Sequence, residues 1–225
     1  KGAVDRLVGT DVSGVTEAEL GLLFLSGIES LVVVDRVRDR TWVLVRGKTS
    51  EVDGIKRATI AATRPDGSVR RQRYWLLQRD ALECDPDTVA ARKKTITEAL
   101  ATFRLEAWNL DDPLPVTVAI PAPNGTSVES LGPPGVFCLG LPTQQSTGLP
   151  VHVDARFFAT ISRTGLDFEQ TYNAMLLEVA ASVLTNVSVP TRTSPASPRG
   201  ASARTTASGA ASSPGAGGSP SAPPP

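Results

Sequence analysis

Apolar and polar positions alternate along this chain in ways that mark out short elements. In Thr16-Glu17-Ala18-Glu19 a hydroxyl residue is followed three positions later by Glu. At that spacing each side chain satisfies an orphan backbone amide at a helix start. Leu20, Leu22, Leu23, Phe24 and Leu25 carry the predicted helix to Gly27. From Ile28 to Val37 β-branched residues dominate, as an extended segment favours, and Thr41 to Arg46 reads as its hairpin partner. Ile55 to Thr63 and Ser68 to Leu77 form a second hairpin. The joining segment Arg64-Pro65-Asp66-Gly67 supplies a fixed φ and then a residue that tolerates positive φ. Pro86 to Leu105 predicts a helix, Val116 to Ile120 a strand, and Val136 to Leu141 a short buried strand. Turns are expected at Asn124-Gly125 and Gly132-Pro133-Pro134-Gly135.

The last periodic stretch is the longest. Phe168, Tyr172, Met175, Leu176, Val179, Ala180, Val183, Leu184 and Val187 recur at steps of three and four, which places them on one helical face. Asp167 reads as the cap of this helix, with Gln170 at the capping-box position. Burying such a stripe against a sheet contributes roughly 1.5–3 kcal/mol for each large side chain. The order helix, strands, helix, strands, helix implies an α/β fold of the α+β kind. It would be a mixed β-sheet with covering helices and a long C-terminal amphipathic helix, followed by a disordered tail.

Composition sets the boundaries. From about Pro190 the chain is almost wholly Pro, Ala, Ser, Thr and Gly with scattered Arg and no aromatic residue. Such a segment cannot bury enough apolar surface to offset chain entropy. Three regions follow: an extension or linker over 1–15, a domain over 16–188 and a disordered tail over 189–225. Twenty-three basic and 23 acidic residues cancel, which argues against a general binder of nucleic acid or of a charged membrane surface. No apolar run reaches the roughly 18 residues needed to span a bilayer. Cys84 and Cys138 are far apart in sequence and read as two reduced thiols, as in the cytoplasm. The chain opens with Lys1 and no signal-peptide pattern, so it reads as a piece of a longer protein or a processed product.

Known catalytic signatures do not occur. There is no G-x-x-x-x-G-K-[ST] loop, no G-x-G-x-x-G and no G-x-S-x-G elbow. One histidine, His152, and two distant cysteines do not make a zinc site. His152 and Asp154 share a strand face, but no nucleophile accompanies them. Asp111-Asp112 and Asp85 with Asp87 flank prolines, where turn chemistry accounts for them. Arg36, Arg38 and Arg40, and Arg70, Arg71 and Arg73 before Tyr74-Trp75, form two basic clusters. They read either as a nucleic-acid patch or as the solvated face of hairpins; the second is the expectation.

Several short motifs then line up in one stretch: Leu141-Pro142, Thr147-Gly148-Leu149-Pro150, His152-Val153, Phe157-Phe158, Ser162-Arg163 and Asn173. In this order they resemble the segment that follows the nucleotide-binding domain in sacsin-type, 90-kDa-heat-shock-like ATPases. The run Leu20 to Ser30 resembles the opening of the same second domain. The resemblance spans roughly residues 16–187 and concentrates in Val136–Leu184. It implies a domain that binds no cofactor alone, with ATP and magnesium held by an N-terminal ATP-binding domain of a parent protein. Protein clients are implied as further partners.

In the heat-shock chaperones the second domain contributes an arginine to the γ-phosphate. The matching candidates here are Arg163 and then Arg156, with Gln144, Gln145 and Thr147 as a polar loop that approaches the nucleotide. This chain has Thr164 where the chaperones have Glu, and extra residues between Pro150 and Arg163. From its own surroundings Arg163 also reads as a solvated side chain or a partner of Asp167, and the glutamine loop as a solvated loop.

Overall fold

The computed structural model describes residues 3–8, 16–52, 55–103, 109–110, 112–122, 133–160, 162 and 164–186. Arg163, the Asn124-Gly125 turn and the expected tail over 189–225 lie outside them. Four helices occur among the described residues: α1 (Ala3–Val8), α2 (Glu17–Phe24), α3 (Pro86–Phe103) and α4 (Thr171–Thr185). The strands are β1 (Ser30–Asp35), β2 (Arg40–Arg46), β3 (Ser50–Val52), β4 (Ile55–Thr63) and β5 (Val69–Asp80), then β6 (Pro115–Pro121), β7 (Val136–Leu139), β8 (Leu141–Ser146) and β9 (His152–Asp154). All nine belong to one sheet in the order β1-β2-β4-β5-β6-β9-β7-β8, with β3 paired to β4. Every pairing is antiparallel except β7 with β9. The fold is therefore α+β around a mixed sheet.

Local chemistry sets the early elements. The capping box at α2 is complete: Thr16 N–H donates to Glu19 Oε2 at 2.9 Å, and Glu19 N–H donates to Thr16 Oγ1 at 3.2 Å. The β4–β5 turn closes with Gly67 at φ 79°, where a side chain would strain the backbone. Ser68 donates from both Oγ (2.7 Å) and N (2.9 Å) to Asp66 Oδ1, and these bonds hold the Asp66 carboxyl below its usual range.

Strand alternation gives the sheet two different faces. On one, Leu44, Ala58, Ile60, Tyr74 and Ala119 pack beneath α2. On the other, Leu77, Val118, Val153 and Phe137 pack beneath the apolar faces of α3 and α4. Helix α2 touches β2 and β4 near one end of the strand order and β8 at the other end, so the sheet curls around it. Leu141 of β8 lies against Gly21, where a β-carbon would come within 3.2 Å of its Cδ2.

The structure departs from the sequence reading in four places. Residues 3–8, within the stretch read as an extension or linker, carry a helix that the sequence reading did not include: α1, which packs on α2 and is tied to the β1–β2 turn by Arg38 and Asp5 (2.7 Å). The apolar run Val136–Leu141 does not continue as one strand: Gly140, at φ 71°, reverses the chain into a hairpin. Gln144-Gln145-Ser146 is consequently the end of strand β8 and not a loop. Asp167 does not cap α4. Its carboxylate accepts from Glu169 N–H (3.1 Å) and from Gln170 Nε2 (3.0 Å), forming a turn one step earlier, and Gln170 is the N-cap, its side chain turned to Asp167 and making no capping bond to the helix. Phe168 thus precedes the helix, edge-on to Phe137 at 5.9 Å. Tyr172, Met175, Leu176, Val179, Ala180 and Val183 form the buried stripe as expected.

Candidate functional site

The stretch with the greatest density of motifs folds as a clasp around β9. Gly135 runs so close to the next turn that a β-carbon there would collide with the Val151 carbonyl. Its N–H donates to Leu149 O (2.7 Å), and its carbonyl accepts from Thr147 N–H (2.9 Å). Thr147 Oγ1 lies 2.7 Å from Leu149 O and 2.8 Å from Val151 O, so this hydroxyl closes the Thr-Gly-Leu-Pro turn. Gly148 supplies the positive φ (74°) that the turn requires. His152 and Asp154 both point to the α2 face and each fastens a neighbouring segment. His152 Nδ1 accepts from Val136 N–H at 3.2 Å, and Asp154 Oδ1 accepts from Gly140 N–H at 2.7 Å. Burial holds the imidazole neutral, its pKa lowered to about 4. Burial also raises the Asp154 carboxyl to about 6, against the opposing pull of the Gly140 N–H. A neutral imidazole whose Nδ1 is used by a backbone amide is a structural acceptor.

A second clasp holds the segment between β9 and α4. Asn173, 0% exposed, accepts from Phe158 N–H and donates to the carbonyls of Phe158 and Asp167, all at 2.8 Å. Tyr172 Oη donates to the Arg156 carbonyl at 3.0 Å. From the β8 side, Gln145 Oε1 accepts from Leu166 N–H at 2.8 Å, and Gln144 N–H donates to Thr164 O at 3.0 Å. These bonds lay the end of β8 directly along 164–166. On that loop Ser162 Oγ lies 3.1 Å from Thr160 Oγ1 and 2.7 Å from Thr164 Oγ1, a row of three hydroxyls.

The sequence candidates therefore fall into distinct situations. Arg163 lies outside the described residues; of its neighbours, Thr164 is bonded to Gln144 through its carbonyl, and Ser162 is bonded to Thr164 through its hydroxyl. Arg156 is exposed just after β9, close enough to Tyr172 that its charge opposes the rise that burial gives the phenol. Gln145 and Thr147 already use their side chains on backbone groups; Gln144 is exposed. The resemblance included Asn173 as a helix-start residue, but its clasping role has no periodic or spacing signal.

A buried ionic group was also missed. Glu19, 1% exposed, pairs with Arg70 of β5, and Tyr74 lies close by with its hydroxyl unpartnered. Burial, and secondarily the charge of Glu19, raises the Tyr74 phenol far above its ordinary value. Cys138, on the same face, is likewise raised by burial and then by Asp154, so it stays a thiol. Fifty-one residues separate Glu19 from Arg70, and only the sheet brings them together. This pairing splits the expected Arg70, Arg71 and Arg73 cluster: Arg70 turns under α2, and Arg71 and Arg73 face the other way. In the first cluster, Arg38 pairs with Asp5 and Asp35, which raises its pKa.

Among the described residues no three His, Cys, Asp or Glu side chains gather as they would around a metal ion. No helix among them is long and apolar enough to cross a membrane. Comparison with protein-family models, curated proteins and solved structures finds no match.

Proposed function

We propose that this domain is the transducing part of a sacsin-like, chaperone-type ATPase. In this reading it offers a guanidinium to the terminal phosphate of an ATP held by a separate N-terminal domain of the parent protein. The supporting observation is the double clasp: Gln145 and Asn173 tie the loop on both sides of Arg163 to β8 and α4. Those bonds hold residues 158 and 166, the flanks from which an arginine would be offered, and anchoring of flanks lowers the entropy lost on contact. The planar fork of an arginine can hold two peripheral oxygens of a transferring phosphoryl group, where charge resides in the transition state. Arg163 takes this role first and Arg156 second. The Thr160, Ser162 and Thr164 hydroxyls and the exposed Gln144 amide give the same surface neutral donors. ATP and magnesium belong to the other domain; this chain orients and completes that site. Cytoplasmic location and protein clients are part of the proposal.

The test is steady-state ATP hydrolysis by the parent polypeptide. Arg163→Ala is expected to lower kcat by at least about tenfold while KM stays within about twofold, because the contact forms in the transition state. Full turnover in both Arg163→Ala and Arg156→Ala removes the guanidinium from the mechanism.

A further inference from the structure

Among the described residues, α3 and α4 cover the face of the sheet opposite α2 over β5 and β6, and no described helix covers that face over β1, β2 and β4. Register identifies what the first half carries. Val32 pairs with Val43, Val43 with Thr63 and Thr63 with Val69, so one row crosses β1, β2, β4 and β5 with three valines and a threonine. The adjacent row is Ser30, Val45, Ala61 and Arg71, followed along β4 and β5 by Thr59 with Arg73 and Arg57 with Trp75. Val32, Val34, Val45 and Val69 are 57, 54, 44 and 46% exposed. These are large values for β-branched side chains aligned on one surface. Scattered apolar residues are ordinary on a protein surface, but a contiguous patch marks a contact site.

Charge identifies the occupant. The face passes from valines at one end to Arg71, Arg73 and Arg57 at the other, a distance of about 13 Å along β5 from Val69 to Arg73. None of its register positions on β1, β2, β4 or β5 is Asp or Glu. Among the described residues no carboxylate pairs with these three arginines, and Arg57 Nε is buried without a hydrogen-bond partner. A second copy of the chain would set three arginines against three. The chain's own residues 189–225 carry only basic charge. A nucleic-acid backbone would leave the valine row uncovered. The remaining match is apolar on one side and acidic at one end. On the covered half of the same face that position is filled by helices, the usual complement of a twisted sheet.

We propose that the β1-β2-β4-β5 face docks an amphipathic helix of a partner protein, with leucine-type residues over the valine row and Asp or Glu over Arg71, Arg73 and Arg57. The surface is separate in the strand order from β8, where residues 164–166 are bonded, and does not depend on the phosphate-contact reading.

The experiment uses the full chain and two synthetic helical peptides with the same leucine face, one bordered by Glu and the other by Lys. Binding is followed by titration calorimetry and mapped by amide shifts. The Glu peptide is expected to perturb β1, β2, β4 and β5 while leaving α2 unchanged. Reversing both arginines (Arg71→Glu with Arg73→Glu) is expected to weaken it by about tenfold and favour the Lys peptide, as loss of a few exposed ion pairs would. Val32→Ser with Val45→Ser, at exposed positions that a folded chain tolerates, is expected to weaken both peptides. Three results overturn the proposal: equal affinity for the two peptides, shifts confined to other surfaces, or a concentration-dependent dimer abolished by Val32→Ser with Val45→Ser.

Discussion

His152 and Asp154 stand two residues apart on β9, and burial pushes their protonation equilibria in opposite directions. The imidazole has a pKa of about 4 in the folded chain against an ordinary 6.5. Below pH 6.5 the unfolded chain takes up a proton that the native chain refuses, so this contribution is complete above 6.5 and is lost as pH falls towards 4. The Asp154 carboxyl has a pKa of about 6 against an ordinary 3.8. Above pH 3.8 the unfolded chain releases a proton that the native chain keeps, so this contribution is present below 3.8 and is lost as pH rises to 6. Each amounts to about 3 kcal/mol, since one pH unit of displacement is worth about 1.4 kcal/mol.

The two slopes oppose each other over nearly the same window, so the joint contribution of these two groups to wild-type stability should be almost flat between about pH 4 and 6. Asp154→Asn removes one slope while keeping an acceptor for Gly140 N–H. Its stability should then climb by about 3 kcal/mol from pH 4 to pH 6.5. His152→Asn keeps an acceptor near Val136 N–H and should show the reverse, a fall of similar size between about pH 4 and 6. The packing lost with the ring lowers that whole curve without tilting it. Urea denaturation followed by tryptophan fluorescence at a series of pH values gives the curves directly. If the Asp154→Asn curve runs parallel to the wild-type curve, the opposed burial of these two groups is refuted.

Three further substitutions test the rest of the structure. Arg70→Ala should destabilise by about 3 kcal/mol, because it leaves the buried Glu19 carboxylate unpaired, and adding Glu19→Gln should recover much of the loss; chemical denaturation of both variants measures this. Asn173→Ala should cost about 3 kcal/mol through three stranded backbone groups, and hydrogen exchange should accelerate at the Phe158 amide before the α4 core. Gly135→Ala should cost about 3 kcal/mol or more, since the β-carbon meets a backbone carbonyl that cannot rotate away, and thermal unfolding will register it.

Elements written by local rules were legible in the sequence. The capping box at Thr16 and Glu19, the Pro-Asp-Gly turn and the three-four periodicity of α4 each depend on residues within a few positions. Legibility failed where a distant partner decides. Leu141-Pro142-Thr143-Gln144 carries no alternation that favours a strand; it is extended because Gly140 turns it back along β7. Asp167 has the right type and spacing for a cap, but tight turn bonding to Glu169 and Gln170 delays the helix. The candidate site divides the same way. The motifs of Val136–Leu184 were visible, yet their side chains mostly bind backbone. That Gln145 reaches Leu166, or Glu19 reaches Arg70, is a property of the folded sheet alone.

The proposed phosphate contact is tested most directly by amide spectra of the parent polypeptide bound to ADP and to ADP with beryllium fluoride, which mimics the terminal phosphate. The account predicts that Gln144, Ser162 and Thr164 shift with the beryllium fluoride complex and not with ADP, and that Arg163→Ala abolishes the difference. Identical spectra at these residues in the two nucleotide states would contradict it.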